Sequence, residues 1–143
     1  MAPIPPGSQA PPIPGVQPRQ GRRAVVFYKV TCPTCQMVAP AMERLHTALP
    51  ESFVAVGQDP PEKLAEFADR FSTSFPAIPD TVPYPVSDAW GLRTVPTLFV
   101  LEDGTVSDVV ESWDREGWNR AAIGLIGSPV SDAGDGLPPF RPG

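Results

Sequence analysis

Two cysteines stand three positions apart, Cys32 and Cys35, with Pro33 and Thr34 between them, and the chain has only these 2. They follow at once on Ala24–Val30 (AVVFYKV) and Thr31. That apolar, β-branched and aromatic run predicts a strand buried on both faces. After the pair, Gln36–Leu49 repeats Val38, Met42, Leu45 and Leu49 at helical spacing. The cysteines are therefore expected where a buried strand gives way to a helix. A thiol at a helix N-terminus faces free backbone N–H groups and the positive end of the helix dipole, and both favour its thiolate. A second thiol three residues on shares that helix face, one turn deeper. It can attack a mixed disulfide formed on the first. Pro33 falls in the first helical turn, where a missing N–H is harmless. Thr34 is small and polar, fit to hydrogen-bond a sulfur. The chemistry these residues could do is dithiol–disulfide exchange, with Cys32 as nucleophile and Cys35 as resolving thiol.

Other uses of two thiols fit less well. A bridge between them would close a very short loop and stabilise little by chain entropy. With a single histidine, His46, one chain cannot assemble four zinc ligands of this kind. No metal and no cofactor is expected beyond the Cys32–Cys35 disulfide itself. Two incidental thiols, or half of a metal site shared between chains, are the remaining alternatives.

The rest of the chain bounds the scaffold. It has 143 residues, 21 of them proline. The prolines crowd the ends, in residues 1–23 and 129–143, so their number does not forbid a core between. Residues 1–23 predict a disordered Pro-rich tail, 24–127 one domain, and 128–143 a second Pro/Gly-rich tail. The formal net charge is −5. The basic residues Arg19, Arg22, Arg23 and Lys29 precede an acidic body, which argues against nucleic-acid binding. No stretch is long and apolar enough to span a bilayer. Residues 1–23 show no secretory leader pattern. The cytoplasm is thus the default compartment, and an extracytoplasmic one is expected if the chain is cut from a longer protein.

The elements expected are strand, helix, strand at Phe53–Val56, and a short helix at Glu62–Phe71. An irregular stretch over 72–88 follows, then a strong strand at Thr97–Leu101, a turn at Glu102-Asp103-Gly104, and a strand at Thr105–Glu111. A last helix runs to about Ile126. Pro40 should kink the first helix. The first two strands must run parallel through a right-handed crossover.

Two segments resemble the thioredoxin superfamily. One is Phe27 and Tyr28 followed by Cys32-Pro33-Thr34-Cys35 and Pro40; the other is Gly91-Leu92-Arg93-Thr94-Val95-Pro96-Thr97-Leu98-Phe99-Val100. The resemblance covers roughly residues 24–127. The longer stretch between Phe53 and Gly91 looks like the reductase branch typified by TlpA-like proteins. The resemblance implies an α/β fold, a thioredoxin-like three-layer sandwich with a small mixed sheet flanked by helices. It implies a thiol–disulfide oxidoreductase, a disulfide reductase more than an oxidase. It also implies a cis bond before Pro96, and a substrate surface of Thr31, Pro33, Thr34, Val95 and Pro96, with the Val95 backbone free to pair with a peptide. The implied partners are a protein or small-molecule disulfide substrate and an upstream electron donor, acting on a monomer. A peroxidase is less consistent, because Lys29 stands where that motif needs threonine or serine.

Three departures from the pattern stand out. Thr31 replaces the usual tryptophan. Val26 and Val38 occupy the two places where such proteins keep an acid, so Cys35 lacks its usual base; Glu102 is a possible substitute. The usual N-terminal strand is missing or displaced by the proline tail. These departures motivate the alternative of a thioredoxin-fold binding or chaperone-like module with little redox turnover.

Overall fold

The structure, a computed structural model, describes residues 2–143. In chain order the elements are β1 (Arg22–Tyr28), α1 (Pro33–Ala48), β2 (Phe53–Gly57), α2 (Pro61–Phe71), β3 (Ala77–Pro79) and α3 (Pro85–Ala89). Then come β4 (Thr97–Glu102), β5 (Thr105–Glu111), β6 (Trp113–Asp114), α4 (Arg115–Ile126) and β7 (Phe140–Arg141). Five strands form one mixed sheet in the order β3-β2-β1-β4-β5. β1 and β2 are parallel, as are β2 and β3, while β4 runs antiparallel to both β1 and β5. The turn between β4 and β5 has Asp103 and Gly104 both at positive φ, the backbone a two-residue hairpin requires. The mixed sheet flanked by helices is the architecture the sequence implied.

β1 lies at the centre, and its side chains alternate between two cores. Ala24, Val26 and Tyr28 face α1, α2 and α4 and join Val38, Met42, Leu45, Phe67, Trp113 and Trp118. Val25 and Phe27 face the other way and join Val54, Val56, Trp90, Phe99 and Leu101. Phe27, Trp90 and Phe99 form a triangle of edge and tilted ring contacts, 4.9–5.7 Å between centroids. Burial of β1 on both faces is why its sequence reads as an unbroken apolar run.

This second core has little helix over it, and here the structure departs from the expectation of a disordered N-terminal tail. Ile13 is buried, and Ile4, Ala10 and Val16 pack beside it. The segment is also tied to backbone: Ile4 N–H donates to Trp90 C=O, Gly7 to Val106, and Ala10 to Gly104, while Val106 N–H donates to Ser8 C=O. Proline-rich chain cannot build a core of its own. It can close a core that a sheet has already half built, because its prolines need no hydrogen-bond partner for a missing N–H. Gly91 marks the closeness of the fit. It sits at φ +71, and a Cβ there would collide with the Ala2 carbonyl.

The C-terminal segment also departs from its expected reading as a loose tail. After α4 the chain turns at Gly127, and Val130 and Ser131 are buried. Asn119 brackets them, accepting from both N–H groups and donating to Ser131 C=O. Arg44 donates to Val130 C=O, and Arg115 to Leu137 C=O. Phe140–Arg141 then pairs antiparallel with Trp113–Asp114. The last strand was invisible in the composition because its pairing partner is supplied by a distant segment.

A second feature inside the stretch expected to be irregular is Asp80, which is 2% exposed. Its carboxylate accepts from Val86 N–H, Ser87 N–H and Ser87 Oγ–H at 2.7–3.1 Å. It thereby caps α3 from five residues upstream and fixes the approach of Trp90 to the second core.

Candidate active site

Strand β1 ends at Tyr28, and four residues later Cys32 is the N-cap of α1. The connecting loop is held from three sides. Cys32 N–H donates to Lys29 C=O, Gln36 Nε2 to Val30 C=O at 2.8 Å, and Val30 N–H to Asp59 Oδ2 at 2.9 Å. The expected order, buried strand, pair, helix, is what the structure shows. Pro33 opens the helix and Pro40 lies within it.

The two thiols occupy unlike environments. Cys32 keeps 9% exposure, whereas Cys35 is fully buried. Cys35 N–H donates to Cys32 Sγ at 3.2 Å, so the sulfur takes the place of a capping oxygen. The Cys35 thiol pointing at the same sulfur contributes most to holding Cys32 below the ordinary thiol range, at about 6; burial opposes, while the Cys35 and Thr34 N–H groups and the Arg141 charge add to it. Cys35 moves the other way. Burial and its bond to Cys32 push it far up, and the nearby Cys32 and Asp59 charges add to that. One thiol is set to be a thiolate at neutral pH and its neighbour to stay protonated.

The second sequence segment closes the site from the side. The Val95–Pro96 bond is cis. Cys32 Sγ–H lies 3.5 Å from the Val95 carbonyl as donor. Pro96 is buried and Val95 half-buried, while Thr31 and Pro33 are exposed on the rim. Thr31, Pro33, Thr34, Val95 and Pro96 thus lie around the cysteine pair at one end of the sheet. Two details differ from expectation. The Thr34 hydroxyl bonds not to a sulfur but to the Pro142 carbonyl, at 2.6 Å. The Val95 carbonyl is not free, since both Cys32 and the backbone of Gly143 crowd it.

Two further residues were not found from the sequence. Lys29, three residues before Cys32, turns its ammonium away to Gln58 C=O, Tyr84 and Asp59. The charge that acts on Cys32 is Arg141, from the end of the chain. Glu102 was considered as the missing acid, but it pairs with Arg22 at the opposite end of β1 from Phe27 and Thr97. Five residues of strand put it roughly 17 Å away. Asp59 is the acid beside the pair. It follows β2, and parallel β1 and β2 end side by side, so their next residues must share one crevice. Asp59 also borders a depression of about 470 Å³ with Thr31, Gln36, Lys63 and Arg70, open to solvent.

Among the described residues no group of three or more His, Cys, Asp or Glu is placed to hold a metal ion, and no helix is long and apolar enough to cross a membrane.

No family model matches the chain. It is similar to the thiol-disulfide oxidoreductase ResA of Halalkalibacterium halodurans, 33% identical over 81 residues, 54% of this chain and 46% of that protein. The chain thus spans about half the length of the curated relative it matches. Among solved structures it is similar to MTB DsbF, 26% identical with TM-score 0.63 over 73% of this chain and 81% of that one. The fold is also that of a thioredoxin-family thiol:disulfide interchange protein from Chlorobium tepidum TLS, at 19% identity and TM-score 0.59 over 74% and 80% of the two chains. A secreted Mycobacterium tuberculosis disulfide oxidoreductase shares it too, at 17% identity and TM-score 0.54 over 63% and 68%. The cytoplasmic default finds no support in these matches.

Proposed function

We propose, for a chain that belongs with the thioredoxin-like thiol-disulfide oxidoreductases, that Cys32 and Cys35 exchange disulfides with peptide substrates and run chiefly as a reductase. The observation that carries this reading is the divergence of the two thiols around one N-capped sulfur. In the reducing direction the Cys32 thiolate attacks one sulfur of a substrate disulfide. A mixed disulfide forms and the first substrate thiolate leaves. Cys35 then loses its proton and attacks Cys32 Sγ. The Cys32–Cys35 disulfide forms, and the second substrate sulfur leaves as a thiol. The substrate gains two electrons and the pair loses two. An external dithiol donor restores the pair by the same steps in reverse. The secreted relative favours a place outside the cytoplasm for this chemistry.

Direction is tested by the reduction potential of the pair. A value more negative than about −200 mV, in the range of glutaredoxins and thioredoxin, is expected. A value near the −120 mV typical of a strong dithiol oxidant would reverse the assignment.

Cys35 needs a base for the second step, and Asp59 takes that role in our reading. It is next to the pair, is already hydrogen-bonded on one oxygen, and lines a solvent-open depression that lets a proton leave. Asp59→Asn is expected to slow decay of the mixed disulfide about tenfold or more at neutral pH, within the span of general-base effects. The first attack, followed by alkylation of Cys32, should change far less. An Asp59→Asn protein that resolves the mixed disulfide as fast as the parent would show that the Asp59 carboxylate takes no part in activating Cys35.

A further inference from the structure

The end of the chain lies across the surface that a substrate peptide needs. Trp113 Nε1–H donates to Pro138 C=O at 2.7 Å, and Arg115 N–H to Pro139 C=O at 3.0 Å. Strand β7 then pairs Phe140 with Asp114 and Arg141 with Trp113. Beyond it Pro142 C=O accepts from Thr34 Oγ–H, and Gly143 N–H donates to Ser112 Oγ at 3.2 Å. Gly143 is pressed so close to Val95 that a Cβ on it would run into the Val95 carbonyl and come within 2.6 Å of Thr94 Oγ1. The guanidinium of Arg141 reaches the Met37 thioether, 3.9 Å away. Residues 142 and 143 therefore sit between Thr34, inside the cysteine pair's loop, and Val95, beside the cis bond. Those two residues flank the Cys32 sulfur, which a disulfide must approach.

The hold is uneven along the segment. Val130 and Ser131 are buried and tightly bracketed, but Phe140 is 57% exposed, and Arg141, Pro142 and Gly143 are exposed as well. A segment anchored at one end and held at the other by a few part-buried hydrogen bonds on exposed residues opens locally without unfolding the domain.

We propose that Thr34, Met37, Val95 and Ser112 form a groove for an extended peptide carrying a basic residue followed by proline or another residue whose N–H is unused, and that Phe140–Gly143 is its resident occupant, which a substrate must displace. The specificity follows from the contacts. Thr34 asks for a carbonyl, Ser112 for an N–H, Val95 for the absence of a side chain, and Met37 accepts a guanidinium. The N–H of the residue at position 142 is not called on, which is why proline fits there. This inference rests on the dithiol reading for its meaning, but the groove and its occupant can be measured without turnover.

The test compares the full chain with a form lacking residues 140–143. Both are compared at pH 8, above the Cys32 midpoint of about 6, which limits the effect of losing the Arg141 charge. Alkylation of Cys32 by a bulky polyethylene-glycol maleimide is expected to be about tenfold faster in the shortened form, and alkylation by iodoacetamide to change less than about twofold. The peptide Leu-Pro-Pro-Phe-Arg-Pro-Gly, added back, should slow the bulky reagent on the shortened form. Ser112→Ala in the full chain should give a smaller acceleration, about threefold, and covers the case in which the shortened form does not fold. Equal bulky-reagent rates in full, shortened and Ser112→Ala forms would overturn the proposal, as would a peptide that gives no protection. If the rate gap persists while no form turns over any disulfide, the groove stands and the dithiol reading falls.

Discussion

Replacing Cys32 by serine is expected to reduce disulfide exchange to the uncatalysed background, a loss of several orders of magnitude, because a hydroxyl cannot form the mixed disulfide on which both half-reactions depend. Cys35→Ser is expected to fail differently. Its first attack proceeds, the resolving step is lost, and a mixed disulfide with substrate accumulates that a reducing thiol releases. Non-reducing electrophoresis and intact mass distinguish the two outcomes. Alkylation supplies the pH dependence. A thiolate reacts and a thiol does not, so the Cys32 rate should rise with pH through about 6 and level off above it, where an ordinary cysteine would do so near 8.5. As pH falls below that midpoint the sulfur is protonated and the rate falls with it. Cys35→Ala removes the largest single cause of the depression, so its midpoint should move up towards the ordinary value. A Cys32→Ser protein that still reduces insulin-type disulfides would mean that the nucleophile lies elsewhere.

Loss of Asp80 should have the largest effect on stability outside the apolar core. It is a buried carboxylate with three hydrogen bonds and no cation among its partners. Asp80→Ala leaves two N–H groups and a hydroxyl at the start of α3 without their acceptor. Bonds to charged groups are worth about 1.5–3 kcal/mol each, and orphaned buried donors cost about 1–3 kcal/mol. Partial rescue by water, which can accept from the freed donors, keeps the sum below a simple total. A loss of about 3 kcal/mol is expected, read as a lowered denaturant midpoint with unchanged slope. Asp80→Asn keeps one acceptor and should lose less. Because α3 leads directly to Trp90, the alanine variant should also change the tryptophan emission of the folded state. A midpoint within error of the parent would show that the loop holds itself without the carboxylate.

Much of the site was legible because its chemistry is local. Cys32, Pro33, Thr34 and Cys35 are contiguous, the strand before them is an unbroken apolar run, and the helix after them has a period of its own. Pro96 was legible only through resemblance, since nothing in the spacing brings residue 96 to residue 32. Asp59 could have been found by one further step. Once two strands are known to be parallel and adjacent, the residues just past their ends share a crevice, and the acid there is Asp59. The base was instead sought at Glu102, by residue type without that geometry. The ends of the chain were misread for another reason. Composition asks whether a segment can bury a core by itself, and Ile4, Ala10 and Ile13 cannot; it does not ask whether a sheet elsewhere has an uncovered face waiting for them. The three-residue β3 escaped notice because it is short and ends in Pro79, which is tolerable only at a sheet edge.

Both ends of the chain carry their contacts over very long loops. Thr34 meets Pro142 across 108 positions and Met37 meets Arg141 across 104, while Gly7 and Ala10 must find Val106 and Gly104. Closing such loops is entropically costly until the intervening sheet exists to hold the two sides near each other. The β1-α1-β2 unit, whose contacts are local, can form without them. The ends therefore fasten last and, for the same reason, should exchange their amide hydrogens first. A chain growing from its N-terminus makes the cover of its second core before anything exists to be covered, and holds Ile4 to Val16 in waiting until β4 and β5 are complete.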